Sequence, residues 1–212
     1  MQEHARRFLT DDEKARIEES VRAAEKRTEG EIVVMVVGSS HHYPLSGMIG
    51  GILFGTAAAL LAALLSGFDS MWHFLGFFVP SFALSSEIVK RWFPLKRLFV
   101  SRSDMDEEVE EAAIGSFYKN RVYDTRNHTG ILIYISLFEH RVRILADRGI
   151  SKRVDQSRWE ALTAMITQGI KEKRQASAIC KAIVRCGEIL EEVFPAGEEN
   201  ANEIGDSVVI GH

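Results

Sequence analysis

Six side chains in the second half of the chain are of types that do chemistry: Asp124, Arg126, His128, Glu139, Asp147 and Arg148. Strand ends and the loops beyond them can bring such residues together. A carboxylate cluster suits calcium, which takes about six to eight oxygens. It equally suits a divalent metal that activates water against a phosphate ester, with Asp147 and Glu139 facing the metal. The plainer reading is that Asp147-Arg148-Gly149 forms a turn, with the aspartate capping locally and the glycine at positive φ. No nucleophile or phosphate-cradling motif accompanies the six: the sequence holds no GxSxG, HExxH, GxxxxGK or EF-hand loop. Cys180 and Arg185 are one residue too close for a thiol-phosphatase loop and lie in a helical pattern. The adjacent side chains of His41 and His42 diverge, which suits a loop at a headgroup boundary better than a metal pair. No residue is assigned as catalytic, and no cofactor is required by this pattern.

The elements that must position these residues are legible on both sides of an apolar block. Thr10-Asp11-Asp12-Glu13 starts a helix: threonine caps, Glu13 completes a capping box, and the acids suit the positive end of the dipole. Ile17, Val21 and Ala24 mark its inner face, and Gly30 ends it. EIVVMVV then reads as a strand buried on both faces. After the block, Ser103 caps a helix with Val109, Ala113 and Phe117 inward. Ile131–Ser136 and Arg141–Leu145 are strands, the second at an edge or half exposed. Ser151 starts a helix carrying Trp159, and Gln175–Phe194 is another, stopped by Pro195. The acidic, glycine-containing end reads as a mobile tail. The resulting boundaries are 1–43 for the first part of the domain, 44–100 for an insertion, 101–195 for the second part and 196–212 for the tail.

From Leu45 to Gly67 there is no ionisable residue. A bilayer core needs roughly 20 apolar residues in a helix. SGFDS reads as a tight turn, and Met71–Ser86 forms a second, shorter apolar segment kinked at Pro80. Gly47, Gly51, Gly55, Ala59, Ala63 and Gly67 recur at a four-residue spacing. Such a face lets helices approach closely, either on the second segment or in a homodimer. Lys90, Arg91, Lys96, Arg97 and Arg102 follow with no acid between Ile88 and Ser103. Under the positive-inside rule this run is cytoplasmic, and it suits anionic lipid headgroups. One strand before the block lacks partners, and partners lie after it. If both flanks build one sheet they share one side of the membrane, so the crossings are even in number.

The rest of the sequence sets bounds. A formal net charge of -4 gives no basic face for nucleic acid. The two cysteines, Cys180 and Cys186, point about 120° apart on a helix and suit no mutual disulfide. The first residues carry no apolar core of a secretory signal.

FLTDDEKARIEESVRAAEKRTEGEIVVMVV, TRNHTGILIYISLFEHRVRILADRGI and the helix carrying Trp159 resemble the TPM domain family. The resemblance implies an α/β sandwich, with helices on both sides of a small mixed sheet. It also implies a range of roles: thylakoid-lumen members with a proposed acid phosphatase activity, membrane-anchored bacterial members, an animal receptor modulator, and members that bind calcium. The sequence departs from the common layout in having its apolar pair inside the domain. It departs again where many members carry paired acids in the hairpin turn, for the turn here is Phe138-Glu139-His140.

The expectation is therefore a TPM-like α/β domain interrupted by a transmembrane hairpin. It would be held at a bacterial inner membrane with the soluble part cytoplasmic, and would bind lipid and another membrane or cytoplasmic protein, not nucleic acid. A metal-dependent phosphatase-like hydrolase or a calcium-binding domain is the alternative.

Overall fold

The structure, a computed structural model, describes residues 2–67, 70–197 and 203–211, with side chains from residue 5 onward. The chain forms two compact units: one from residues up to Ser40 and from Glu107 onward, the other from His41–Asp106.

In chain order the elements are α1 (Gln2–Phe8), α2 (Asp11–Glu25), β1 (Glu31–Val37), α3 (Pro44–Ser66), α4 (Met71–Arg91), α5 (Phe93–Leu98), α6 (Arg102–Lys119), β2 (Gly130–Ser136), β3 (Arg141–Ala146), α7 (Arg148–Ser151), α8 (Gln156–Lys171), α9 (Gln175–Val193) and β4 (Val209–Ile210). The first unit is built on a four-stranded mixed sheet in the order β3-β2-β1-β4. β1 pairs parallel with β2 from Glu31↔Gly130 to Val37↔Ser136, and β3 returns antiparallel on β2. The strand before the insertion thus finds its partner after it.

β1 and β2 are buried along their whole lengths because both faces are covered. Side chains alternate across a strand. Ile32, Val34, Val36, Ile131, Ile133 and Ile135 join residues of α2, α8 and α9, including Trp159 and Ile183, in the larger core. Val33, Met35, Val37, Leu132 and Tyr134 pack with Val109, Ala113 and Phe117 of α6 in the smaller one. This is the layered α/β sandwich expected. α2 begins with the expected capping box, Thr10 Oγ1 accepting from the Glu13 N–H while the Glu13 carboxylate accepts from the Thr10 N–H.

Three local expectations are corrected. α8 starts at Gln156, capped by Asp155, because Ser151 instead ends the short α7. α6 starts one residue before Ser103, whose N–H is accepted by Ser101 Oγ. The C-terminal segment is no free tail where it is described: β4 pairs parallel with β1 through Met35↔Val209 and Val36↔Ile210. The expected turn around Asp69 lies outside the described residues.

In the second unit α3 and α4 pack closely. A β-carbon at Gly51 would lie 2.9 Å from Ser86 Cβ, and one at Gly55 only 2.7 Å from Phe82 Cα. Gly47 takes the stem of Lys90, Ala59 is fully buried and Ala63 is half-buried. A β-carbon at Gly50, outside the four-residue series, would lie 2.7 Å from Val89 Cγ2. The small-residue face therefore serves α4. Gly55→Val is expected to weaken the helix pair by about 1–3 kcal/mol, since the clash is with backbone. Gly76→Val, where a β-carbon meets nothing within 4 Å, is expected to leave the packing intact. Unfolding of the two purified variants by a denaturing detergent checks the difference.

Candidate functional site

The register of the sheet divides the six candidate residues. His128 precedes β2 and Glu139 follows it, so they lie at opposite ends of a strand about 20 Å long. They form two separate sites.

At the first end, His128, Asp147 and Arg148 make a clasp. The backbone of His128 is left-handed, with φ 54°. Its carbonyl accepts the Gly149 N–H at 3.1 Å, and a β-carbon on Gly149 would lie 2.5 Å from the same oxygen. Gly149 is needed for this close approach; its φ is not positive, so the expected turn geometry is corrected. Asp147 caps α7, its Oδ1 accepting from the Arg148 N–H at 2.6 Å, while Oδ2 lies 3.1 Å from His128 Nδ1. The Arg148 guanidinium reaches His128 Nε2. Arginine only donates, so Nε2 accepts, and the proton sits on Nδ1 and is donated to Asp147. That leaves neither ring nitrogen open for a metal or a substrate proton. Arg126 turns instead to Glu203, at 3.4 Å between side chains and 2.9 Å from its own N–H. Asp124 is exposed in the connection between α6 and β2.

At the other end, Glu139 is fully buried. It accepts from Ser39 Oγ at 3.1 Å and from the Ser40 N–H at 3.0 Å through Oε1, and from Ser136 Oγ through Oε2. Ser40 Oγ also meets Ser136 Oγ at 3.1 Å and the Tyr134 hydroxyl at 3.2 Å. Burial holds the Tyr134 hydroxyl above its ordinary range. Glu139 therefore clamps the backbone where the chain leaves the sheet for α3. It is a structural carboxyl, and its expected pairing with Asp147 at a metal is corrected by their separation along the sheet. Among the described residues no group of three or more acid, histidine or cysteine side chains is arranged to hold a metal ion.

A third cluster escaped the sequence reading. Glu25 and Glu31 are both buried. Glu25 accepts the Ile32 N–H at 2.7 Å, and Glu31 accepts the N–H groups of Glu203 and Ile204 at 3.1 and 3.2 Å. Arg22 Nε pairs with Asp206 at 2.8 Å. Burial pushes the Glu25 carboxyl up to about 8, with the charges of Glu31 and Asp206 adding to the shift and the Ile32 N–H opposing it. Burial also raises Glu31, against the two N–H groups it accepts. Buried beside Glu25, the Cys186 thiol is pushed up to about 12 by burial first and then by that charge, which makes it inert at neutral pH. No motif announces this cluster, because Glu25 ends a helix, Glu31 begins a strand and the other two acids sit in what reads as a solvated tail.

The basic run is only partly a surface. Lys90 and Arg102 are exposed, Arg97 is half-buried, and Arg91 pairs with Glu87 at 2.8 Å. Lys96 is buried, its Nζ 5.6 Å from the centre of the Tyr43 ring, so it is removed from the expected headgroup set. α3 is the described helix long and apolar enough to cross a membrane, with mean hydropathy 2.2 over its most apolar 18 residues. α4 does not reach that mark over its described length.

Residues 97–189 match the family model described as the TPM domain. The NMR structure of BA42 protein from the psychrophilic bacterium Bizionia argentinensis shares the fold, with a TM-score of 0.62 and 19% identity over 96% of this chain and 96% of that one. No curated protein matches the chain.

Proposed function

We propose, for a chain that carries a TPM domain over residues 97–189, that it is a membrane-anchored binding or scaffolding module. The observation that carries this is the outer surface of the second unit. Leu61, Leu64, Leu65, Trp72 and Leu84 are all exposed, two of the leucines to 80%. In water such a surface would aggregate; in a bilayer it is satisfied. Twenty-three helical residues in α3 span about 34 Å, enough for a hydrocarbon core about 30 Å thick. The pairing of β1 with β2 supports both flanks lying on one side, with α4 bringing the chain back. Lys90, Arg97 and Arg102 favour the cytoplasmic side of a bacterial inner membrane for both flanks, where the domain would meet a membrane or cytoplasmic protein.

Side-specific labelling tests this. Single cysteines are placed by Glu19→Cys, Ser70→Cys and Ser207→Cys in a chain carrying Cys180→Ser and Cys186→Ala. With an impermeant maleimide on intact cells, the expected result is labelling at position 70 alone. Labelling at 19 and 207 but not 70 would invert the topology, and labelling at only one of 19 and 207 would end the anchored-domain reading.

The alternative, a metal-dependent phosphatase-like hydrolase or calcium-binding domain, has the His128–Asp147 pair in its favour. It requires Arg148 to leave Nε2. Arg148→Ala would then raise phosphoester hydrolysis in the presence of a divalent metal. Hydrolysis absent from both proteins, with and without metal, sinks the hydrolase, and no heat on calorimetric titration with calcium sinks the calcium-binding domain.

A further inference from the structure

We propose that the outer edge of β1 is a strand-addition site for an extended peptide of a partner protein, and that residues 203–211 of this chain are its built-in competitor. The two edges of the sheet differ. β3 carries Arg141 and Arg143, with Arg143 paired to Glu110 at 3.1 Å; charges of this kind guard an edge against further strands. β1, EIVVMVV, has no charge after Glu31 and offers its edge in register to a parallel strand. A strand of this kind left bare invites pairing.

The resident segment, EIGDSVVIG, shows what the edge accepts. Two successive backbone N–H groups, of Glu203 and Ile204, enter the Glu31 carboxyl. Asp206 reaches Arg22. Val208 and Ile210 pack against the larger core, and Ile204 and Val209 against the smaller. The Gly211 N–H donates to the Val36 carbonyl at 3.0 Å, and a β-carbon there would lie 2.3 Å from Met35 Cε. The ligand class is therefore an extended peptide with an acid, then three apolar residues beginning two positions later, then a small residue.

The resident strand is built to be displaced. It pairs with β1 at two positions only. Its two acids lie near the buried carboxyl of Glu31, whose charge they oppose, and are held there by Arg126 and Arg22. A partner that reproduces the apolar residues competes with the resident for the same positions of β1. The site lies wholly in the sheet unit and stands whether or not the helical pair crosses a membrane.

The test uses the full chain in detergent micelles and a fluorescent peptide of sequence EIGDSVVIG. Val209→Asp with Ile210→Asp weakens the resident strand. The folded double variant is expected to bind the peptide at least about tenfold more tightly than the unchanged chain does, a difference of about 1.4 kcal/mol. A scrambled peptide is expected to bind at least about tenfold more weakly, and adding Arg22→Ala should weaken the true peptide further. A folded double variant that does not bind, or binds both peptides alike, overturns the proposal. So does an unchanged chain that runs as a dimer and dissociates on Val209→Asp, for the edge would then belong to a second copy. If the variant does not fold, amide exchange in the unchanged chain decides. The Gly211 amide is expected to exchange at least about a hundredfold faster than that of Ile133 by local opening. Equal protection would make β4 a fixed strand and end the proposal.

Discussion

Glu139→Ala is expected to destabilise the sheet unit by about 3–5 kcal/mol, and to do so without touching any metal. The carboxyl is fully buried and accepts from two hydroxyls and one backbone N–H. The Ser136 and Ser39 hydroxyls can rotate toward other acceptors. The Ser40 N–H cannot, and leaving this half-buried donor without a partner costs about 1 kcal/mol, the lower end of the range for a buried one. The alanine also leaves a cavity at the carboxyl ends of β1 and β2, where the chain departs for the inserted helices. Glu139→Gln keeps the shape and one acceptor oxygen, so its expected cost is about half as large. Chemical denaturation of the three proteins measures this. An alanine variant within about 0.5 kcal/mol of the unchanged chain would contradict the clamp, since changes that small are typical of exposed sites.

Glu25→Gln is expected to stabilise the protein at alkaline pH and to remove a pH dependence. The folded Glu25 titrates at about 8 against an ordinary 4.5. Below 4.5 both the folded and the unfolded chain hold the proton, and the group costs nothing. Between 4.5 and about 8 the unfolded chain has lost it while the folded chain keeps it, so stability falls as pH rises. Above about 8 both are ionised and the full cost remains. At about 1.4 kcal/mol per unit the cost is on the order of a few kcal/mol. Glutamine keeps the oxygen that accepts the Ile32 N–H and carries no charge toward Glu31 and Asp206. Unfolding curves from pH 5 to 9 should slope downward for the unchanged chain and flatten for the variant. Parallel slopes would show that Glu25 is not the group that titrates.

Short-range patterns were legible in the sequence and survive in the fold. The capping box at Thr10, the unbroken apolar runs of EIVVMVV and GILIYIS that are buried on both faces, and the small-residue face of α3 are each set by residues within a turn or a strand of one another. Local sterics and hydrogen bonding suffice to specify them. The insertion could be read too, because a strand with no partner before an uncharged block demands one after it. The six chemistry-bearing residues were found as types but not as a site. Their grouping depends on which end of β2 each one flanks, and the register of β1 on β2 decides that.

What the amino-acid sequence determined by itself was therefore the layered α/β domain, its interruption, and a small-residue face on the first inserted helix, whose partner the structure supplied as α4. Only the tertiary structure decided that Glu139 is a clamp, that Lys96 is buried, and that the acidic end of the chain returns to the sheet. The contact of Glu31 with Glu203 joins residues 172 apart. No local preference encodes such a contact. It follows from the register of a completed sheet and from the need of a buried carboxyl to find donors wherever the fold brings them.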